Sequence, residues 1–168
     1  SRRRHTRFRN VTGVQTCALP ILVFDIETIA FPLSSFDEKQ QEYLLKFAKT
    51  EEERITKIQE LALSPLTARI IAIGMVNPET NNGKVVYCAD EQEIARNADE
   101  KVEYISVLTE KEILEHFWND VQKFHQLVTF NGRTFDCPFI LLRSAILEIH
   151  PTRNIMPYRY DARLHCDL

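Results

Sequence analysis

The stretch that decides the fold is Ile21-Leu-Val-Phe-Asp-Ile-Glu-Thr28, a short apolar run interrupted by acids towards its far end. Its length predicts a buried strand. Because side chains alternate along a strand, Asp25 and Glu27 at i and i+2 are expected on the same side of the sheet. Buried like charges raise each other's pKa unless a cation lies between them, and oxygen ligands suit Mg²⁺ or Mn²⁺. Two acids solvated at a strand end are the simpler alternative.

Further along the chain, two apolar runs read as strands, Arg69–Val76 and Lys84–Cys88. The turn-rich segment 77–83 between them predicts an antiparallel hairpin. Apolar residues at helical spacing precede this hairpin, and they predict one or two amphipathic helices that end at Ser64-Pro65. These residues are Tyr43, Leu44, Phe47, Ile55, Ile58 and Leu61.

The stretch Thr109-Glu-Lys-Glu112 fits a capping box and predicts the start of another helix. An apolar face follows it and is expected to pack against a sheet. Gln126–Asn131 reads as a fourth strand, and Pro138 fits the first turn of a further helix. These elements predict an α/β protein with a mixed β-sheet flanked by helices.

A second acidic motif, Asn131-Gly-Arg-Thr-Phe-Asp136, follows the predicted fourth strand. The strand delivers Asn131 into a loop. Asp136 comes just before the next helix, where the backbone amides of the helix N-terminus favour an anion. Asp136 as a simple helix cap and Asn131-Gly132 as a plain turn are the alternatives.

The two motifs together resemble those of a known family. Phe24-Asp-Ile-Glu-Thr28 resembles the first motif, and Asn131–Asp136 the second, of the DEDD 3′–5′ exonucleases, which have an RNase H-like fold. The stretch Leu22–Leu168 is similar to predicted 3′–5′ exonucleases related to the proofreading domain of family B DNA polymerases. The resemblance implies that residues 21–168 are the N-terminal part of such a domain.

The resemblance also implies roles for individual residues. Asp25 would bridge two divalent cations, Mg²⁺ or Mn²⁺, Glu27 would bind the metal that activates the attacking water, and Asp136 would hold the second metal. Two ions stabilise both the attacking and the leaving oxygen, and the product would be a nucleoside 5′-monophosphate. Phe135 is expected to pack beneath the site rather than to stack on a base. The substrate-binding residues implied are Ile26, Thr28, Asn131 and Phe135.

The sequence departs from the family at the third motif, in which a fourth Asp follows a Tyr or His. Neither Tyr158 nor Tyr160 has an Asp four residues later, and Asp161 and Asp167 are not convincing substitutes. We therefore expect a chain truncated at its C-terminus and weakly active or inactive as a fragment. Its last stretch, Tyr160–Leu168, is expected to lead toward a helix.

Several functions compete for this pattern. The leading expectation is a 3′–5′ exonuclease acting on DNA, with single-stranded 3′ ends as substrate, in repair or proofreading. An RNA 3′–5′ exonuclease is the nearest alternative, because the contacts that recognise the 2′-hydroxyl are not visible in a sequence. A non-catalytic, RNase H-like nucleic-acid-binding module is another. A D-x-D-x-T phosphatase is disfavoured, since Glu27 and Ile29 occupy the required positions.

Composition sets the broader limits. The chain has 168 residues, 44% of them hydrophobic, with four Gly and seven Pro, which predicts one packed domain. No apolar run approaches the roughly 20 residues that span a bilayer. The four cysteines form no C-x-x-C pair, so neither a zinc ribbon nor a disulfide framework is indicated, and a cytoplasmic location is expected.

The first twenty residues differ from the rest. They contain five arginines and no acid, whereas the chain as a whole has a net charge of −3. A basic arm that binds nucleic acid, a targeting peptide and non-native sequence are the three interpretations. The stretch Val11–Ile21 resembles translated sequencing-adapter read-through, so we expect residues 1–20 to be a non-native or disordered basic segment and the native N-terminus to be missing. The acidic remainder is a mild objection to DNA binding.

Overall fold

A mixed seven-stranded sheet carries the fold in the computed structural model, which describes residues 20–97 and 101–168. The strand order is β4-β5-β3-β2-β1-β6-β7. Apart from Pro20, the segment predicted to be non-native lies outside the described residues. The strands are β1 (Ile21–Ala30), β2 (Ala68–Asn77), β3 (Asn82–Cys88), β4 (Ile94–Asn97), β5 (Val102–Val107), β6 (Gln126–Thr129) and β7 (His165–Asp167).

The long strand β1 lies between β2 and β6. It pairs with β2 in an antiparallel ladder that runs along most of its length, and with β6 in a parallel ladder that ends at Val23. The edge of β1 beyond Val23 is therefore free of β6. The hairpin of β2 and β3 is antiparallel, as predicted, and Asn81 in its turn has a φ of 57°.

In the described part of the chain, four α-helices flank the sheet: α1 (Glu38–Leu44), α2 (Glu51–Glu60), α3 (Glu110–Val121) and α4 (Asp136–Ile146). The predicted capping box of Thr109 and Glu112 is confirmed at the start of α3. The segment Glu38–Glu60 forms two helices, which confirms that prediction. None of the described helices is long and apolar enough to cross a membrane.

The apolar residues of the first two helices are buried unevenly. Tyr43 and Phe47 are each 75% exposed and Ile55 is 52% exposed. The short 3₁₀ turn Leu61–Leu63 makes the contact with β1 and β2 instead, and Leu61 is buried there. Of the other apolar residues of this segment, Leu44 and Ile58 are half-buried.

The core lies between the sheet and helices α3 and α4. Phe117 packs edge-on against Phe24 with 5.2 Å between ring centroids, and the Trp118 indole nitrogen donates to the Ser144 hydroxyl at 2.8 Å. The predicted apolar face of α3 is thus confirmed as core. A hydrogen bond for the indole N–H is what a buried tryptophan requires.

Three strands were not predicted. β4 and β5 extend the sheet beyond β3, with β5 parallel to β3 and antiparallel to β4. At the other edge, His165–Asp167 is strand β7, parallel to β6, in a stretch for which no strand was predicted. Main-chain hydrogen bonds to β6, across about 38 residues of sequence, fix this extended conformation.

Candidate active site

The first acidic motif lies on β1, where burial alternates. Leu22, Phe24 and Ile26 are buried in the core, and Asp25 and Glu27 are exposed. The two acids therefore lie on the face of β1 opposite the core, as the period-two pattern predicted. Both acids follow Val23, the last residue of β1 that pairs with β6.

The second acidic motif delivers its carboxylate to the free edge of β1. Asp136 is the first residue of α4 and is 2% exposed. Its Oδ1 atom accepts a hydrogen bond from the backbone N–H of Ile26 at 3.1 Å, across 110 residues of sequence. Because β6 has already ended, this N–H has no partner strand, and the Asp136 carboxylate takes its place. The bond fixes Asp136 next to Asp25.

The Asp25 and Asp136 carboxyl groups are neighbours at this edge. Burial, together with the neighbouring Asp25 charge, raises the pKa of Asp136 to about 6. The N–H of Ile26 opposes this shift only in part. A cation between the two carboxylates would stabilise the ionised form of Asp136.

The donor set fits a hard divalent cation, since both converging groups are carboxylates. Within residues 20–97 and 101–168, no three His, Cys, Asp or Glu side chains lie close enough together to hold a metal ion. Glu27, two residues beyond Asp25 on the same face, therefore does not complete a three-carboxylate cluster. Asp25 and Asp136 are the residues that would hold a metal.

The loop between β6 and α4 has a constrained backbone. Asn131 has a φ of 54°, in the left-handed region, and a Cβ atom on Gly132 would lie 2.5 Å from the Cβ of Thr129. Only glycine fits at this close approach. The Thr134 hydroxyl donates to the Asn131 side-chain oxygen at 2.6 Å, which orients the amide group at the surface.

Two residues of β7 complete this region. Asp167 accepts from the Thr129 hydroxyl at 2.7 Å, from the Gly132 N–H at 2.7 Å and from the Arg133 N–H at 3.3 Å. His165 is buried, with Nε2 lying 2.8 Å from the Thr129 hydroxyl and Nδ1 lying 3.0 Å from the Ile155 carbonyl oxygen. Sequence reasoning missed these contacts of Asp167, because nothing in the mixed polar stretch Tyr160–Leu168 indicates its partners.

The structure also places the other predicted substrate-binding residues. The Ile26 side chain is buried in the core, so only its main chain faces Asp136. The Thr28 hydroxyl donates to the Ala62 carbonyl at 2.8 Å and ties β1 to the 3₁₀ turn. Phe135 packs against Phe139 with 5.5 Å between ring centroids, beneath the loop.

Arg133 and Cys137 lie near the site, and both side chains contact the protein interior. The Arg133 guanidinium turns inward, where Nη1 donates to the Pro157 carbonyl at 2.9 Å. Burial, reinforced by the charge of the adjacent Asp136, raises the pKa of the Cys137 thiol to about 12. Cys137 is therefore a buried apolar residue and not a nucleophile.

Comparison with solved structures finds the family B DNA polymerase of the hyperthermophilic archaeon Pyrobaculum calidifontis. The similarity has a TM-score of 0.49 at 13% sequence identity and covers 89% of this chain but 15% of the polymerase. No curated protein sequence matches the chain.

A family model matches residues 63–168, more than half of the chain, and the match includes the second acidic motif but not Asp25 or Glu27. The family is described as predicted 3′–5′ exonucleases related to the exonuclease domain of PolB. On this match, and with Asp136 delivered to the edge of β1, the chain belongs to that family.

Proposed function

We propose that this chain is the N-terminal part, residues 21–168, of a metal-dependent 3′–5′ exonuclease domain. Its substrate would be the 3′ end of DNA, and its product a nucleoside 5′-monophosphate. The observation that carries the proposal is the meeting of Asp25 and the buried Asp136 at the free edge of β1. Two like charges held together repel each other, so a carboxylate pair at this edge is explained by a cation that binds between them.

The chain's own residues would bind the cations and the substrate. Two divalent cations, Mg²⁺ or Mn²⁺, would supply positive charge to the attacking and leaving oxygens of the phosphodiester. Asp136 would hold its position through the Ile26 N–H, and Asp25 would share a cation with it. Glu27 lies on the same exposed face and would join once a cation is bound. The Asn131 amide nitrogen would donate to a substrate oxygen, since Thr134 occupies the amide oxygen.

Single-stranded DNA is the favoured substrate. The alternating face of β1 that carries Asp25 and Glu27 is exposed, which leaves room for an extended strand to approach. The role would be DNA repair or proofreading. RNA is the competing substrate, and matched DNA and RNA oligonucleotides of the same sequence would distinguish the two.

Metal binding is the first test. We expect Mn²⁺, followed by electron paramagnetic resonance, to bind the wild-type chain and to bind at least tenfold more weakly to Asp25→Ala and Asp136→Asn. Glu52→Ala, which removes an exposed acid of α2, is the matched control and should bind like the wild type. Equal binding by all four proteins would contradict the proposal.

Nucleotide release is the second test. Single-stranded DNA labelled at its 3′ end is incubated with Mn²⁺ or Mg²⁺. The protein added is either this chain or the longer protein encoded by the full reading frame. We expect labelled mononucleotide as the first product of the longer protein, little or none from this chain, and none from the Asp25→Ala form of the longer protein. If neither protein releases nucleotide from DNA or RNA although Mn²⁺ binds, the exonuclease proposal fails and the nucleic-acid-binding module replaces it.

A further inference from the structure

We propose that Asp167 is a positioning residue for the candidate site, which holds the 131–135 loop so that Asp136 stays against β1. This inference rests on the proposed function. Asp167 would touch neither metal nor substrate. It would act through the loop, whose far end carries the carboxylate that faces Asp25.

The carboxylate of Asp167 is engaged entirely by the loop and its preceding strand. Oδ1 accepts from the Thr129 hydroxyl and the Gly132 N–H, both at 2.7 Å, and Oδ2 accepts from the Arg133 N–H at 3.3 Å. Three donors to one ionised acid make a strong anchor, because hydrogen bonds to charged groups are about twice as strong as neutral ones. These three hydrogen bonds direct the Asp167 carboxylate toward the loop.

The loop needs such an anchor. The N–H groups of Gly132 and Arg133 precede α4, so no helical carbonyl accepts from them, and a buried amide without a partner is costly. The left-handed φ of Asn131 and the close contact of Gly132 with Thr129 restrict the backbone conformation of the loop. In this conformation Asp167 accepts hydrogen bonds from the N–H groups of both Gly132 and Arg133.

The position of the loop determines the position of Asp136. The Cys137 N–H donates to the Gly132 carbonyl at 2.8 Å, and the Phe135 N–H donates to the Asn131 carbonyl at 3.3 Å. The first turn of α4 is therefore hydrogen-bonded to Asn131 and Gly132, and Asp167 fixes the position of Gly132. Asp136 lies between these two attachments, and its bond to the Ile26 N–H requires that they stay in place.

The test uses the full chain with Asp167→Ala and Asp167→Asn. Asp161→Asn is the matched control, since Asp161 is an acid of the same segment whose side chain pairs with the exposed Arg163. Amide hydrogen exchange is followed by nuclear magnetic resonance. We expect the Ile26 amide to exchange at least tenfold faster in Asp167→Ala, with the Phe117 amide in α3 changing less than twofold. Asp161→Asn should change neither.

Activity provides a second measurement. Mn²⁺ affinity should fall about fivefold in Asp167→Ala, and kcat should fall more than KM changes, because the loss lies in the placement of the carboxylate. Asp167→Asn keeps one oxygen acceptor and should lie between the wild type and Asp167→Ala. An unchanged Ile26 exchange rate in a folded Asp167→Asn would overturn the proposal, as would a uniform rise that includes Phe117.

The two proposals fail in different ways. If the wild type binds no Mn²⁺ and releases no nucleotide, the proposed exonuclease function fails, and faster Ile26 exchange in the Asp167 variants still supports the loop anchor. If Mn²⁺ binds and the Asp167 variants match the wild type in exchange and affinity, the anchor fails alone. Should both Asp167 variants unfold, Thr129→Val removes one donor, and it must raise Ile26 exchange selectively.

Discussion

Asp136 and Asp167 lie at the two sides of one loop, and their pKa values shift in opposite directions. Asp136 is buried, accepts one N–H, and faces Asp25, and its pKa is raised to about 6. Burial also acts to raise the pKa of Asp167, but hydrogen bonds from Thr129, Gly132 and Arg133 outweigh it and lower the value. Deep burial beside a second carboxylate raises the pKa of Asp136, whereas shallower burial with three hydrogen-bond donors lowers that of Asp167.

The largest effect on stability should come from a third acid, Glu110, which is buried and forms an ion pair with Arg143. The side chains of Glu110 and Arg143 are 7% and 8% exposed and form an ion pair at 2.6 Å. Glu110 also accepts the Ile70 N–H at 2.9 Å. We expect Glu110→Gln to lower the free energy of unfolding by about 3 to 5 kcal/mol, because it leaves Arg143 charged and buried. Urea denaturation measures this, and a loss below about 1 kcal/mol would show that solvent reaches the pair.

Asp136→Asn should change stability in the opposite direction. The raised pKa means that between about pH 4 and 6 the folded protein binds more protons than the unfolded one, so the wild type loses stability as the pH rises. The variant has no such proton to lose. Its free energy of unfolding relative to the wild type should therefore rise between pH 4 and pH 7, by about 2 to 3 kcal/mol in total. Urea denaturation in EDTA at four pH values gives the curve, and a flat difference contradicts it.

Mn²⁺ should reverse that order at pH 7. A cation that binds the folded wild type stabilises it by mass action, and Asp136→Asn lacks the second carboxylate. The same urea titration with excess Mn²⁺ should leave the wild type the more stable protein. A Mn²⁺ response of equal size in both proteins would place the metal elsewhere.

Thr129→Val tests the anchored acid with a smaller change. The variant keeps the shape of the side chain but loses the hydroxyl that lies against Asp167 and His165. We expect a loss of about 1 kcal/mol and a rise in the pKa of Asp167, seen in its carboxyl ¹³C shift. Thr56→Val, at an exposed position of α2, is the control and should change neither quantity.

The smallest effect should be seen in Asp25→Asn. Replacing the facing charge should lower the pKa of Asp136 from about 6, but the value should stay above the ordinary 3.8 because burial is the larger cause. A ¹³C titration of the Asp136 carboxyl group in EDTA measures the shift. An unchanged pKa would mean that the two carboxylates do not meet in solution.

The sequence was most informative where local chemistry decides structure. The alternation along β1 predicted the shared face of Asp25 and Glu27, and the capping box predicted the first turn of α3, because both patterns depend on neighbours within a few residues. The hairpin of β2 and β3 was predicted for the same reason. The proximity of Asp25 and Asp136 was an expectation from the family resemblance, and no local pattern contained it.

What the sequence did not reveal depends on distant partners. β7 is three residues long and exists because β6 offers it main-chain hydrogen bonds. The position of Asp167 beside the Gly132 amide is set by that pairing, so a local pattern cannot show it. Tyr43 and Phe47 gave a helical pattern that in the structure faces solvent, since the sheet contact falls on Leu61.

Three contacts in a row link Ile155, His165, Thr129 and Asp167, and each needs one hydrogen atom between its two heavy atoms. Three contacts require three hydrogens, whereas a neutral imidazole and one hydroxyl bring two. The third would have to be a proton on His165, whose pKa is lowered by burial and by Arg133, or on Asp167, whose pKa the loop amides lower. Near neutral pH this line of contacts is therefore one hydrogen short: the Thr129 hydroxyl donates to Asp167, and its contact with Nε2 of the neutral His165 lacks a hydrogen.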